Sequence, residues 1–121
     1  MENLNNQKLN EIPLGSFRAL LTECREDEIV EGRTAFFMKM ALYSFSGCIS
    51  VFCEDSFLNH VGLPKTRDFF ALLDVAGITW ENFFDLEGMV IEGEVIYELV
   101  GNALVPTITY QKVVAPPPRS L

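Results

Sequence analysis

Residues 89–98 alternate with a period of two. Met89, Ile91, Gly93, Val95 and Tyr97 fall on one side, and Val90, Glu92, Glu94, Ile96 and Glu98 fall on the other. Successive side chains of a strand point to opposite faces, so this pattern fits a strand with the first set buried and does not fit a helix. Gly93 in mid-strand marks a bulge or a sharp bend. Gly101 and Asn102 form a turn, and residues 105–114 read as a second strand. The last third of the chain is therefore a hairpin that needs a core laid against one face.

The segments upstream supply that core. Residues 14–25 read as a first strand, with Phe17, Ala19 and Leu21 alternating against Ser16, Arg18 and Leu20. Glu23, Glu26, Asp27, Glu28 and Glu31 follow and read as an acidic loop closed by Gly32. Residues 33–44 form a second strand, dense in aromatic and apolar side chains. Its run Phe36-Phe37-Met38 is apolar on both parities, so the sequence leaves open which face is buried. Ser46-Gly47 makes a turn into a third strand, residues 48–53, completing a short hairpin. Residues 55–63 read as a helical turn capped by Asp55 or Ser56. A helix then begins at Pro64 or Thr66, with Phe69, Leu72, Leu73 and Ala76 at helical spacing and Gly77 as its C′ glycine. Thr79 is the expected N-cap of a second short turn whose Trp80, Phe83 and Phe84 pack inward.

Five strands with a helix between the third and the fourth is the order of an OB-like barrel, so the expected class is mainly β. The chain has 121 residues, which suits one domain. Residues 1–13 read as a flexible arm, 14–114 as the barrel, and 115–121 as a Pro-rich flexible tail. No apolar run approaches the ~18–20 residues of a membrane span, and residues 1–11 are polar and Asn-rich rather than a leader. A cytoplasmic protein with no membrane partner is expected. Cys24, Cys48 and Cys53 have no metal-binding spacing and read as buried reduced thiols.

Catalytic signals are weak. His60 is the only histidine, and no nucleophile motif accompanies it. It reads as capping or satisfying the helix end around residues 59–62. Glu92 and Glu94 share a strand face and read as solvated. No phosphate-binding loop is present. The expectation is a non-enzyme with no cofactor and no metal.

Nucleic-acid binding requires aromatic platforms interleaved with cations, because bases stack on rings while phosphates attract Lys and Arg. Strand two offers Phe37, Lys39 and Tyr43 on one parity, with Arg33 ahead of them. Strand one adds Arg18 opposite the core set. Strand five adds Lys112, which shares its parity with Tyr110. The net charge of −8 argues the other way, since single strands reward clustered cations. It supports an alternative, an acidic module that docks on a basic protein through Glu26, Asp27 and Glu28. Examples are an inhibitor of a host defence nuclease or a virion assembly component. A homo-oligomer fits either reading.

Some of these residues carry a resemblance. The opening strand Gly15-Ser16-Phe17, the hairpin of residues 36–51, the helix Asp68-Phe69-Phe70-Ala71-Leu72-Leu73-Asp74-Val75-Ala76-Gly77-Ile78, and the run from Asp85-Leu86-Glu87-Gly88 to Gly93-Glu94-Val95 are similar to small phage-encoded, OB-like proteins of replication and recombination modules. The resemblance spans residues 13–114 and rests on turns and core positions. It implies single-stranded DNA binding. The chain departs from that pattern at its end, Pro-Pro-Pro-Arg-Ser-Leu, where an acidic partner-recruiting tail would be expected.

Overall fold

The computed structural model describes residues 14–45 and 50–118. The arm at 1–13, the turn at Ser46-Gly47, Cys48, and the last three residues of the tail lie outside the described residues. The described residues are mainly β: five antiparallel strands in one sheet, with one α-helix. The strands are β1 (Gly15–Val30), β2 (Arg33–Ser44), β3 (Ser50–Leu58), β4 (Val90–Val100) and β5 (Ala103–Ala115), and α1 spans Pro64–Val75. Across the sheet the order is β3-β2-β1-β4-β5. No described helix is long and apolar enough to cross a membrane.

β1 holds the sheet together by changing partners along its length. Its first residues, Gly15 to Leu20, pair with β4, and from Phe17 onward the strand also pairs with β2. The ladder to β2 shifts between Leu21 and Glu23, which leaves Thr22 as the extra residue. Such a bulge bends a strand and raises its twist. Two groups fasten the bend: the Thr22 hydroxyl donates to the Lys39 carbonyl, and the Cys24 N–H donates to the Glu87 carboxylate. Beyond it β1 continues with β2 alone as far as Val30. The acidic run expected as a loop is therefore strand, and only Glu31 and Gly32 make the turn. Cross-strand neighbours explain the difference. Lys39 lies 3.5 Å from Glu23, and Glu26 accepts from Thr34 and Asn59, while Arg25 pairs with Asp27 along β1 itself at 2.7 Å.

The buried face of each strand is now fixed. Phe17, Ala19, Leu21 and Cys24 of β1 face inward, as do Phe36, Met38, Met40 and Leu42 of β2, Ile91 and Val95 of β4, and Met89 just before β4. Phe69 and Leu73 of α1 cover them, together with Phe83 and Leu86 of a single 3-10 turn (Phe83–Leu86). The Phe36 ring is central: its centroid lies 4.4 Å from Phe83, 5.6 Å from Phe57 and 5.7 Å from Phe70. Such offset and edge contacts add to the transfer free energy of burial. Helix α1 starts at Pro64, whose fixed φ suits the first helical position. It ends at Gly77, where φ is 74° and the N–H returns to the Asp74 carbonyl. The 3-10 turn is capped by Asn82 and Asp85 through reciprocal side-chain bonds, rather than by Thr79. After β5, Pro117 is buried, and a Cβ on Gly88 would meet Pro118 at 2.6 Å.

The sheet does not close into the expected barrel, because no ladder joins β3 to β5 among the described residues. Residues 55–58, expected as a helical turn, extend β3. Phe69 lies between the two edges, 5.2 Å from Phe57 of β3 and 5.6 Å from Tyr110 of β5. Side chains bridge the seam instead. The Tyr110 hydroxyl donates to Asp55 at 2.6 Å, and Lys65 Nζ lies 2.8 Å from the same carboxylate. Burial and the adjacent Asp55 charge hold the Tyr110 phenol well above its ordinary 10.0. The folded state thus keeps a proton that the unfolded chain releases. The stabilisation is fully present below pH about 10 and is lost as pH rises through the folded value. Tyr110→Phe is expected to cost about 1–2 kcal/mol at neutral pH. The stability gap to the native protein, read from urea midpoints, should shrink above pH about 10; a gap independent of pH would show that the seam bond is not the cause.

Candidate nucleic-acid interface

The outward side of β1, β2 and β3 carries a row of aromatic and cationic side chains. On β2 the outward residues are Phe37, Lys39, Ala41 and Tyr43, since the opposite parity fills the core. Register fixes their neighbours. Tyr43 lies across from Arg18 of β1 and Ser50 of β3, Ala41 lies between Leu20 and Phe52, and Lys39 lies between Glu23 and Glu54. Phe37 lies between Arg25 and Ser56. Phe52 stands over the small Ala41 and is 79% exposed, the most open ring on this face, and Tyr43 is 48% exposed. Phe45 continues the line past the end of β2 and is also exposed.

Two cations already lie on rings. The Arg25 guanidinium carbon is 4.7 Å from the Phe37 centroid, and that of Arg18 is 5.6 Å from Phe45. Planar guanidinium groups stack on aromatic faces. Each cation of the row also has an acidic neighbour. Arg18 donates to Glu92 at 2.7 Å, Lys39 lies 3.5 Å from Glu23, and Arg25 pairs with Asp27. These exposed pairs are individually weak, so a phosphate can displace a carboxylate at small cost. A hollow of about 300 Å³ opens beside Phe52, between Lys39 and Glu54.

Four of the expected residues thus meet on one surface: Arg18, Phe37, Lys39 and Tyr43. Lys112 shares that side of the sheet but sits across Glu92 on β5, beyond Arg18. Its expected companion Tyr110 does not join it. The β4–β5 ladder shifts between Glu92 and Gly93, so Gln111 is an extra residue and Tyr110 turns inward opposite Gly93. The bulge read from Gly93 is real, and it breaks the parity argument two residues away. Arg33 is separated as well. It opens β2 beside the turn, near Asn59 and His60, about 13 Å along the strand from Phe37 at ~3.3 Å per residue.

Three contributors went unrecognised in the sequence: Phe52, Phe45 and Arg25. Phe52 carried a legible signal. Continued to Leu58, the third strand alternates Phe52, Glu54 and Ser56 against Val51, Cys53, Asp55 and Phe57, which sets Phe52 on the polar side. Arg25 needed the bulge at Thr22 to be known first.

The candidate chemical groups are occupied elsewhere. His60 Nδ1 accepts the Gly62 N–H at 3.0 Å, in a turn between β3 and α1 rather than at the end of a helix as expected. Glu92 is held by Arg18, and Glu94 lies between Ser16 and Thr109. Cys24 is buried and Cys53 half-buried, and burial pushes both thiols up to about 12, far from reactive thiolates. Glu26, Asp27 and Glu28 sit on the distal part of β1, all exposed; Glu28 accepts the Gly32 N–H across the turn. Comparison with known proteins adds nothing to this geometry, since no family model and no curated protein matches the chain.

Proposed function

We propose that this protein is a non-enzymatic single-stranded DNA binder of OB-like design, acting in the cytoplasm during phage or mobile-element replication or recombination. The observation that carries the reading is the outward row of Phe37, Tyr43, Phe45 and Phe52, interleaved with Arg18, Arg25 and Lys39. Rings spaced along neighbouring strands suit stacking by successive bases, which tolerates any sequence. The strand order supports it too. A helix between the third and fourth strands and the order β3-β2-β1-β4-β5 are compatible with an OB-like design left open between β3 and β5.

The test is fluorescence anisotropy of a labelled oligo-thymidine, titrated with protein from low to moderate salt. Three or four phosphate contacts predict a log–log salt slope of about −2 to −3. Absence of binding at low salt would overturn the reading. It would favour an acidic protein-docking module, a view supported by the −8 net charge and the exposed Glu26, Asp27 and Glu28.

A further inference from the structure

An odd number of antiparallel strands has a consequence at the seam. With five strands in the order β3-β2-β1-β4-β5, the two edges run in the same direction. Direct closure would require a parallel pairing. One additional strand running the opposite way would pair antiparallel to both edges and close six strands.

The seam has room for it. Tyr110 and Asp55 meet on the inner side and, with Phe69 between Phe57 and Tyr110, form the floor of the seam. Around them lie two hollows of about 190 and about 310 Å³, both lined by Lys65, Thr107 and Ile108. The charged residues of these linings are Glu54, Asp55 and Asp68 against Lys65 alone. Lys65 is bound to Asp55, so the slot is acidic overall. Val105 and Ile108 give it an apolar wall.

We propose that the slot between β3 and β5 is a strand-docking site for an extended, basic segment of a partner protein. Charge selects the occupant. A second copy of this chain, at −8, would set acid against an acidic slot. Pro106 removes one donor from the β5 edge for any occupant, so an inserted strand relies on the remaining β5 groups and on β3. A foreign strand carrying Lys or Arg gains main-chain hydrogen bonds from the edges and attraction from Glu54 and Asp68. The slot opens at the seam, and among its lining residues Glu54 alone also borders the hollow beside Phe52 on the outward face.

The test uses the full chain and a fluorescein-labelled short peptide of alternating Lys and Val, with an alternating Glu and Val peptide as control. The expected result is saturable binding of the basic peptide alone, with slowed hydrogen exchange at β3 and β5 amides. Glu54→Lys should weaken that binding about tenfold or more. Among the described residues its carboxylate pairs only with Arg25, at 3.9 Å, so the fold should survive, and thermal melting checks this. Failure to saturate, equal binding of the acidic peptide, protection confined to β1 and β2, or an unchanged affinity in Glu54→Lys would each overturn the proposal.

Discussion

Gly93→Ala is expected to cost about 3 kcal/mol or more, a large share of the 5–15 kcal/mol that stabilises a domain. An added Cβ would stand 2.0 Å from the Thr109 carbonyl oxygen and 2.9 Å from Phe17 Cζ. The first atom is backbone of the neighbouring strand, so relief requires β4 and β5 to separate. The second belongs to a fully packed ring of the core. Space is the constraint here, because Gly93 sits where β1, β4 and β5 converge. It pairs with Phe17 on one side and with Tyr110 on the other. The change should therefore also disturb the Phe17–Tyr110 edge contact, with centroids at 6.5 Å, and through it the seam. Urea denaturation checks this: the midpoint should fall with little change in slope. A loss under about 1 kcal/mol would mean that the two strands move apart freely at this point.

The same glycine shows what was legible in the sequence and what was not. Its place in a period-two run announced both the strand and the irregularity, because alternation is a local property. The side-chain consequence was not local. The bulge inserts Gln111 on the partner strand and sends Tyr110 and Lys112 to opposite faces. Parity counted along one strand does not register an insertion imposed by its neighbour. Asp55 failed for a related reason. Asp is a poor strand former and a good helix cap, so the sequence offers Asp55, alongside Ser56, as a cap. Its partners Lys65 and Tyr110 lie 10 and 55 residues away and make it a strand residue at the seam.

The acidic run repeats that lesson with charge. Glu23 to Glu28 looks like a solvated loop until Lys39, Thr34 and Asn59 are set beside it. Helix α1 was legible because its apolar spacing, its Pro and its terminal Gly are all contiguous. Barrel closure was not, since it turns on Phe69 lying between Phe57 and Tyr110, a contact among three separate elements. The ambiguity of Phe36-Phe37-Met38 has a plain resolution. Both parities are apolar because one packs in the core and the other is an outward platform under Arg25.

That platform gives the second large expected effect. The double substitution Phe52→Ala with Tyr43→Ala should weaken oligo-thymidine binding by about a hundredfold or more. Each stacking ring is worth about 1–3 kcal/mol, and every 1.4 kcal/mol is tenfold. Little stability should be lost, because Phe52 is 79% exposed and Tyr43 is 48% exposed. The two single variants separate the rings. Phe52 lies over Ala41 with open space around it, and its loss should dominate. Tyr43 stands across from Arg18, so Tyr43→Ala also removes a neighbour of the cation that lies on Phe45. Arg18→Ala should then reduce the salt slope by about one contact while leaving stacking in place. A double variant that folds, melts at the native temperature and binds oligo-thymidine with native affinity would sink the outward-face assignment. Binding would then have to arise from residues away from β2 and β3. If the rings are the platform, affinity falls with the double variant while the salt slope stays near its native value, because stacking releases no counterions.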